Sequence, residues 1–116
     1  MLVVENTETG HALMTALRQI GWHVVLYRTG MQALKSVREQ PWDALVVGFR
    51  LLDIRGDAVV HAVNAEQPAM AARTLLLTTD DVGVEAADAA QCASLPTSTP
   101  IDVIVTRITQ LIKNAS

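Results

Sequence analysis

Aromatic side chains are scarce in this 116-residue chain: phenylalanine, tyrosine and tryptophan together make up 3% of it. Half of the residues are apolar, so the core has to be filled by Leu, Val, Ile and Ala, as in layered α/β proteins. Cysteine is reduced to Cys92, which excludes an internal disulfide and fits a reducing, cytoplasmic setting. A basic surplus is also lacking. The formal net charge of -3 leaves no electrostatic footprint for a nucleic-acid partner. No apolar run approaches the length of a membrane span, and no signal-peptide pattern opens the chain. The histidines His11, His23 and His61 fall on three different elements, and no pair has metal-ligand spacing. No nucleophile–base pair and no glycine-rich phosphate loop is present, which argues against a small hydrolase or redox enzyme.

What is there is a regular alternation of short apolar runs and helical patterns. The length suits one compact domain over residues 1–116. Because the chain opens directly on a strand, the expectation is a domain excised from a larger protein, with a short native protein as the alternative. The strand candidates are Leu2 to Val4, His23 to Tyr27, Ala44 to Val47, Thr74 to Leu77 and a weak Cys92 to Ser94. Short, continuously apolar strands alternating with helices imply a parallel sheet covered on both faces. The first helix is expected from about Glu8 to Ile20, with Leu13, Leu17 and Ile20 on its inner stripe. The second follows Gly30 and turns Ala33, Leu34 and Val37 inward; Pro41 then marks the turn into the third strand. The third helix follows Gly56, uses Val59, Val60 and Val63, and must stop before Pro68. In the last helix Thr99 is placed to cap and Pro100 to open, and Asp102 complements the N-terminal dipole. Ile101, Ile104, Val105, Ile108, Leu111 and Ile112 form its apolar face.

Five such βα units fit a three-layer, doubly wound α/β fold with a five-stranded parallel sheet in the order 2-1-3-4-5. Local sequence narrows the choice. Leu2 to Asn6 resembles a first strand that ends in two acidic residues, and Gly21 to Val24 the turn into a second strand. Arg28 to Leu34 is similar to the opening of a second helix, with glycine before an Ala-Leu pair. Pro41 to Val47, then Arg50 to Gly56, resemble the approach to a phosphorylation site and the loop after it. Thr78 stands at the end of strand four, and Leu95-Pro96 resembles the lysine-proline step after strand five. In order and spacing, over essentially the whole chain, these segments resemble the receiver domains of bacterial two-component signalling.

The resemblance implies a chemistry that the residues here do not supply. Receiver phosphotransfer needs a carboxylate nucleophile, two further acids to hold Mg²⁺, a hydroxyl and a lysine. Gly48 stands at the acceptor position and has no side chain. Asn6 replaces the second acid and leaves Glu5 as the lone charged candidate ligand. Leu95 replaces the lysine, and only Thr78 survives. The interval between Thr78 and Leu95 is over a turn of helix shorter than the family's, so the fourth helix must be short. Cys92 occupies the place of the aromatic residue that in receivers reports phosphorylation from strand five.

Together these departures point to a pseudo-receiver: no phosphotransfer, weak or absent Mg²⁺ binding, no other cofactor and no enzymatic activity of its own. By resemblance its context is a hybrid sensor histidine kinase or an atypical response regulator. Its partner is then a kinase, an output domain or another receiver, with no contact to nucleic acid or membrane through this domain. Helices one and five, with Met14, Val103 and Thr106 outward, or the face made by helix four, strand five and helix five, are the candidate docking surfaces. Two alternatives remain open. The end of the sheet at Glu5, Gly48 and Thr78 could take a ligand such as a cyclic dinucleotide, with Arg50, Asp53 and Arg55 as its polar patch. A substitute residue could instead accept phosphate, Asp53 being nearest in sequence, although a loop-turn or helix-flanking role suits Asp53 better. Cys92 reads as a small buried hydrophobe, and Trp22 and Trp42 as covers for one end of the sheet.

Overall fold

The computed structural model describes residues 1–115. Five strands, β1 (Leu2–Val4), β2 (Val25–Tyr27), β3 (Leu45–Gly48), β4 (Thr74–Thr78) and β5 (Ala93–Pro96), alternate with five helices. These are α1 (Glu8–Gln19), α2 (Gly30–Glu39), α3 (Gly56–Glu66), α4 (Asp81–Ala89) and α5 (Ile101–Asn114). The sheet is parallel throughout and runs β2-β1-β3-β4-β5, as the sequence implied. Successive side chains of a strand point to opposite faces, and this divides the core in two. Val3, Val46, Leu75 and Leu77 meet Leu13 and Leu17 of α1 and Ile104 and Ile108 of α5. Leu2, Val4, Leu45, Val47 and Leu76 meet Ala33 and Val37 of α2, the three valines of α3, and Ala87 of α4. A sheet covered on both faces explains why its central strands contain no alternating polar residues.

Several local expectations are corrected. Helix α1 stops at Gln19, and Gly21 takes a positive φ of 99° just beyond it, so Ile20 swings out to 58% exposure. Met14, expected to face outward, is half-buried against the α1/α5 core. Thr99 does not cap α5. Pro100 is the N-cap, its carbonyl accepts from Val103 and Ile104, and Thr99 is spent in a turn that donates to Pro96 O at 3.0 Å. Strand β2 begins at Val25 rather than His23, and β5 spans Ala93–Pro96 rather than Cys92 to Ser94. Leu95-Pro96 is therefore the end of the strand, not a step after it. Pro68 ends α3 as expected, but the chain continues into a 3₁₀ helix, Pro68–Arg73, because a proline fits the first turn of a new helix. Trp42 is buried in the core and Trp22 half-buried; His23 stacks on Trp42 at 6.3 Å, at the sheet end opposite Gly48. Helix α4 has nine residues, the shortest of the five α-helices. Among the described residues, no helix is long and apolar enough to cross a membrane.

Candidate functional site

Parallel strands bring their C-terminal ends to one edge of the sheet, where doubly wound folds place their sites. Register assembles Glu5, Gly48 and Thr78 there. Val4 pairs with Val47, which sets Glu5 beside Gly48, and Gly48 in turn pairs with Leu77, one residue short of Thr78. Leu95 pairs with Leu77 on the far side and packs, half-buried, against the α1/α5 core. Asn6 is half-buried.

The Glu5 carboxylate occupies the space above Gly48. A Cβ added to Gly48 would lie 2.7 Å from both Glu5 carboxylate oxygens. On the other side, a Cβ on Gly10 of α1 would lie 2.9 Å from Glu5 Cβ. Two glycines thus leave just enough room for one glutamate side chain, which is 3% exposed. The Asn6 amide donates to Glu5 Oε1 at 2.8 Å. Burial pushes the Glu5 carboxyl above its ordinary value, while the amides of Asn6 and Thr7 and the Thr7 hydroxyl oppose that rise. Thr78 is equally buried. Its side chain wedges against α4 at Gly83, where an added Cβ would come within 2.9 Å, and its carbonyl accepts from Thr97 N at 2.8 Å and Thr97 Oγ1 at 3.2 Å.

The loop after β3 is fastened from several sides. A Cβ on Gly56 would sit 2.1 Å from Gly48 O, so only glycine lets α3 begin this close to the strand, and Gly56 N donates to Phe49 O at 2.7 Å. A β-bridge joins Arg50 to Arg55, and both guanidinium groups lie over the buried Phe49 ring, 5.3 and 5.0 Å from its centre. Arg50 is paired with Asp80 at 2.6 Å, and Arg55 holds Asp57 through two bonds of 2.9 and 2.6 Å. Each partnership holds its aspartate below the usual carboxylate range, with the arginine hydrogen bond as the main cause. The other oxygen of Asp80 caps α4 by accepting from Gly83 N at 3.1 Å. Asp53 reaches across to α2, accepting from Gly30 N at 2.8 Å and Met31 N at 3.0 Å. The Gly30 amide is the main reason its carboxyl stays below the ordinary value. The three residues read from sequence as one patch therefore divide: the two arginines converge on Phe49, each with its own aspartate, and Asp53 serves the neighbouring helix.

Cys92 lies just before β5, half-buried against the α2/α3/α4 core, and burial pushes its thiol up to about 11. Its amide closes the end of α4 on Ala87 O, across Gln91 with a φ of 58°. A cleft of about 520 Å³ opens away from Gly48. It lies between α1 and β2 and is lined by Asn6, Thr7, His11, Leu26 and Arg28 among others. Among the described residues, no three His, Cys, Asp or Glu side chains are gathered to hold a metal ion. Sequence reasoning missed Phe49, Asp80 and Gly10. A glycine near the start of an otherwise regular helix was the available signal for Gly10, since it costs helix stability unless something packs against it.

Solved receiver structures superpose on this arrangement over almost its full length. The response regulator receiver domain protein of Methanospirillum hungatei JF-1 matches with a TM-score of 0.87 and 14% identity, over 98% of this chain and 92% of its own. The receiver domain of sensor histidine kinase PA1611 from Pseudomonas aeruginosa PAO1, solved with magnesium in its active-site cleft, matches with a TM-score of 0.82 and 22% identity. That match covers 97% of this chain and 95% of the other.

The fold is the receiver fold.

In sequence, the transcriptional regulatory protein ZraR of Escherichia coli K12 is 32% identical over 71 residues. This covers 60% of the chain and 16% of that regulator, so the chain spans a small part of the curated relative it matches. No protein-family model matches the chain. Within the receiver fold, Gly48 ends the central strand, Glu5 stands beside it after β1, and Thr78 closes β4.

Proposed function

We propose that this domain is a pseudo-receiver, a phosphorylation-independent interaction module of two-component signalling. It would work inside a larger cytoplasmic protein such as a hybrid sensor histidine kinase or an atypical response regulator. The observation that carries this reading is the end of the central strand. Gly48 offers no nucleophile, and the space its side chain would fill is taken by Glu5. The neighbouring carboxylates are committed elsewhere, Asp53 to the α2 amides and Asp80 to Arg50 and α4. With Asn6 and Leu95 in place of an acid and a lysine, neither Mg²⁺ nor a bound phosphoryl group has its usual partners. A domain so built contributes contacts, not chemistry. Val82 and Val84 on α4 and Val103 on α5 leave apolar side chains in solvent on the face proposed to meet a kinase, an output domain or a second receiver.

Incubation with acetyl phosphate and Mg²⁺, followed by intact-protein mass measurement, tests the reading. Unmodified protein is the expected result. Covalent phosphate at any residue, a substitute acceptor included, overturns it. A second reading, a nucleotide-binding module, draws on the cleft beside Asn6, which has the volume of a small-molecule site and includes Arg28 and His11. Stabilisation by cyclic dinucleotides in a thermal-shift screen would favour it; no shift with any nucleotide discards it.

A further inference from the structure

The Glu5 side chain is more than a leftover ligand. It passes between Gly10 and Gly48, is almost completely buried, and ends with its carboxylate against the bare backbone of β3. Asn6 N donates to Oε1 at 2.8 Å; burial raises the carboxyl above its ordinary value, and this bond, with the amide and hydroxyl of Thr7, opposes that rise. Those groups belong to the turn that leads into α1, so one carboxylate joins the first helix to the central strand. A Cβ at either glycine would collide with Glu5, at 2.9 Å from Gly10 and 2.7 Å from Gly48. An anion-sized space, amide donors and an anion that fills them are all supplied by the same chain.

We propose that the Glu5 carboxylate is the resident anion of this site, an autoinhibitory plug that holds the domain in one closed state and keeps small oxyanions out. For its functional meaning the proposal rests on the phosphorylation-independent reading above, and it adds what has replaced the lost chemistry. Removing the carboxylate then uncovers a receptor for a free one, bounded by the Asn6 and Thr7 amides and by Gly48.

Formate has the size and charge of the missing group and serves as the probe. The melting temperature of Glu5→Ala is measured in sodium formate and in sodium chloride of equal ionic strength. At formate concentrations about ten times its dissociation constant, linkage gives a rise of roughly 5 °C for a domain of this size. The unchanged protein is expected to show no difference between the two salts. The double variant Glu5→Ala/Gly48→Ala, whose new methyl group fills the uncovered space, is expected to lose the response. A formate response equal in the unchanged protein and in Glu5→Ala, or no response in Glu5→Ala, overturns the proposal. Should Glu5→Ala fail to fold, Gly48→Ala decides the matter. It must lower the melting temperature of the unchanged protein more than that of Glu5→Asp, whose shorter arm draws the carboxylate back; equal losses overturn the plug. Phosphorylation by acetyl phosphate would remove the functional reading and leave the outcome with formate unchanged, so the two can fail separately.

Discussion

Replacing Gly48 with aspartate puts a carboxylate at the end of the central strand, and it is expected to cost stability without enabling phosphotransfer. The new Cβ would lie 2.7 Å from both Glu5 oxygens, closer than side-chain carbons approach. Glu5 must therefore swing out and give up the Asn6 amide, a hydrogen bond to a charged group worth about 1.5–3 kcal/mol. If instead both carboxylates stay within about 4 Å, their repulsion at an effective dielectric near 20 is about 4 kcal/mol, and one of them takes up a proton to escape it. Either route places the loss at about 2–4 kcal/mol, a large part of the 5–15 kcal/mol that holds a typical domain together. For a chain of this length that lowers the melting temperature by roughly 8–20 °C. Gly48→Ala separates the two contributions. It brings the collision without the charge, partly offset by the reduced backbone freedom of the unfolded chain, so its net cost is about 1 kcal/mol. The assay is thermal unfolding at pH 5 and pH 8, with intact mass after acetyl phosphate and Mg²⁺. The Gly48→Asp deficit should be larger at pH 8, where both carboxylates are driven to ionise. A Gly48→Asp protein as stable as its parent and readily phosphorylated would refute the whole account of this site, because Asn6 and Leu95 would then have been no obstacle.

Three further outcomes follow from the charges already placed. The folded Glu5 carboxyl titrates above its ordinary value of 4.5, so the folded state holds its proton more tightly than the unfolded one. The stabilisation this gives is complete below pH 4.5 and is lost as pH rises through the raised folded value. The melting temperature of the parent minus that of Glu5→Gln should therefore fall across that window, and a flat difference contradicts the burial of Glu5. Cys92, with its thiol pushed up to about 11, should react with iodoacetamide only slowly at neutral pH, the rate climbing about tenfold per pH unit until that value; fast labelling at pH 7 would disprove its half-buried setting. Asp53→Ala removes the acceptor for the Gly30 and Met31 amides, so hydrogen exchange at the start of α2 should quicken while intact mass after acetyl phosphate stays unchanged.

The fold was legible because its signals are local and repeated. Each strand is a short apolar run, each helix has its own apolar stripe, and connections of this length in parallel sheets leave few topologies. Gly48, Asn6, Thr78 and Leu95 could be placed for the same reason, since a residue at the end of a parallel strand falls at the sheet edge whatever surrounds it. The partners of the polar side chains were not legible. Asp53 bonds to residues 22 and 23 positions away, and Arg50 to one 30 away, so nothing near them in sequence announces the pairing. Ile20 and Thr99 failed at helix ends, where a one-residue shift in the cap reverses which way a side chain points. In the sequence Gly48 stood out as a departure and Gly10 drew no notice. Only the structure shows that both accommodate the same glutamate.

That shared accommodation explains why a glycine at residue 48 leaves no weak point in the core. A cluster of carboxylates at the end of a parallel sheet is costly by itself, because like charges in a poorly solvated setting repel and need a cation to hold them. A glycine at residue 48 avoids that repulsion but by itself would leave a void beside buried Val47 and Thr78, and a void forfeits the contacts of everything lining it. Folding Glu5 inward fills the space with its carboxylate, and the amides of the α1 turn satisfy it. This edge of the sheet thereby becomes part of the packing between α1 and β3. If Glu5 is the resident anion proposed above, the space over Gly48 offers no vacant position whose occupation biases the domain between two states, since a ligand without differential affinity shifts nothing. The Arg50–Asp80 pair and the Thr97 bonds to Thr78 tie the same edge to α4 and to the segment after β5. Any partner that recognises the α4–β5–α5 face would then meet the same surface at all times. Its control would then have to come from the partner's side, its concentration above all.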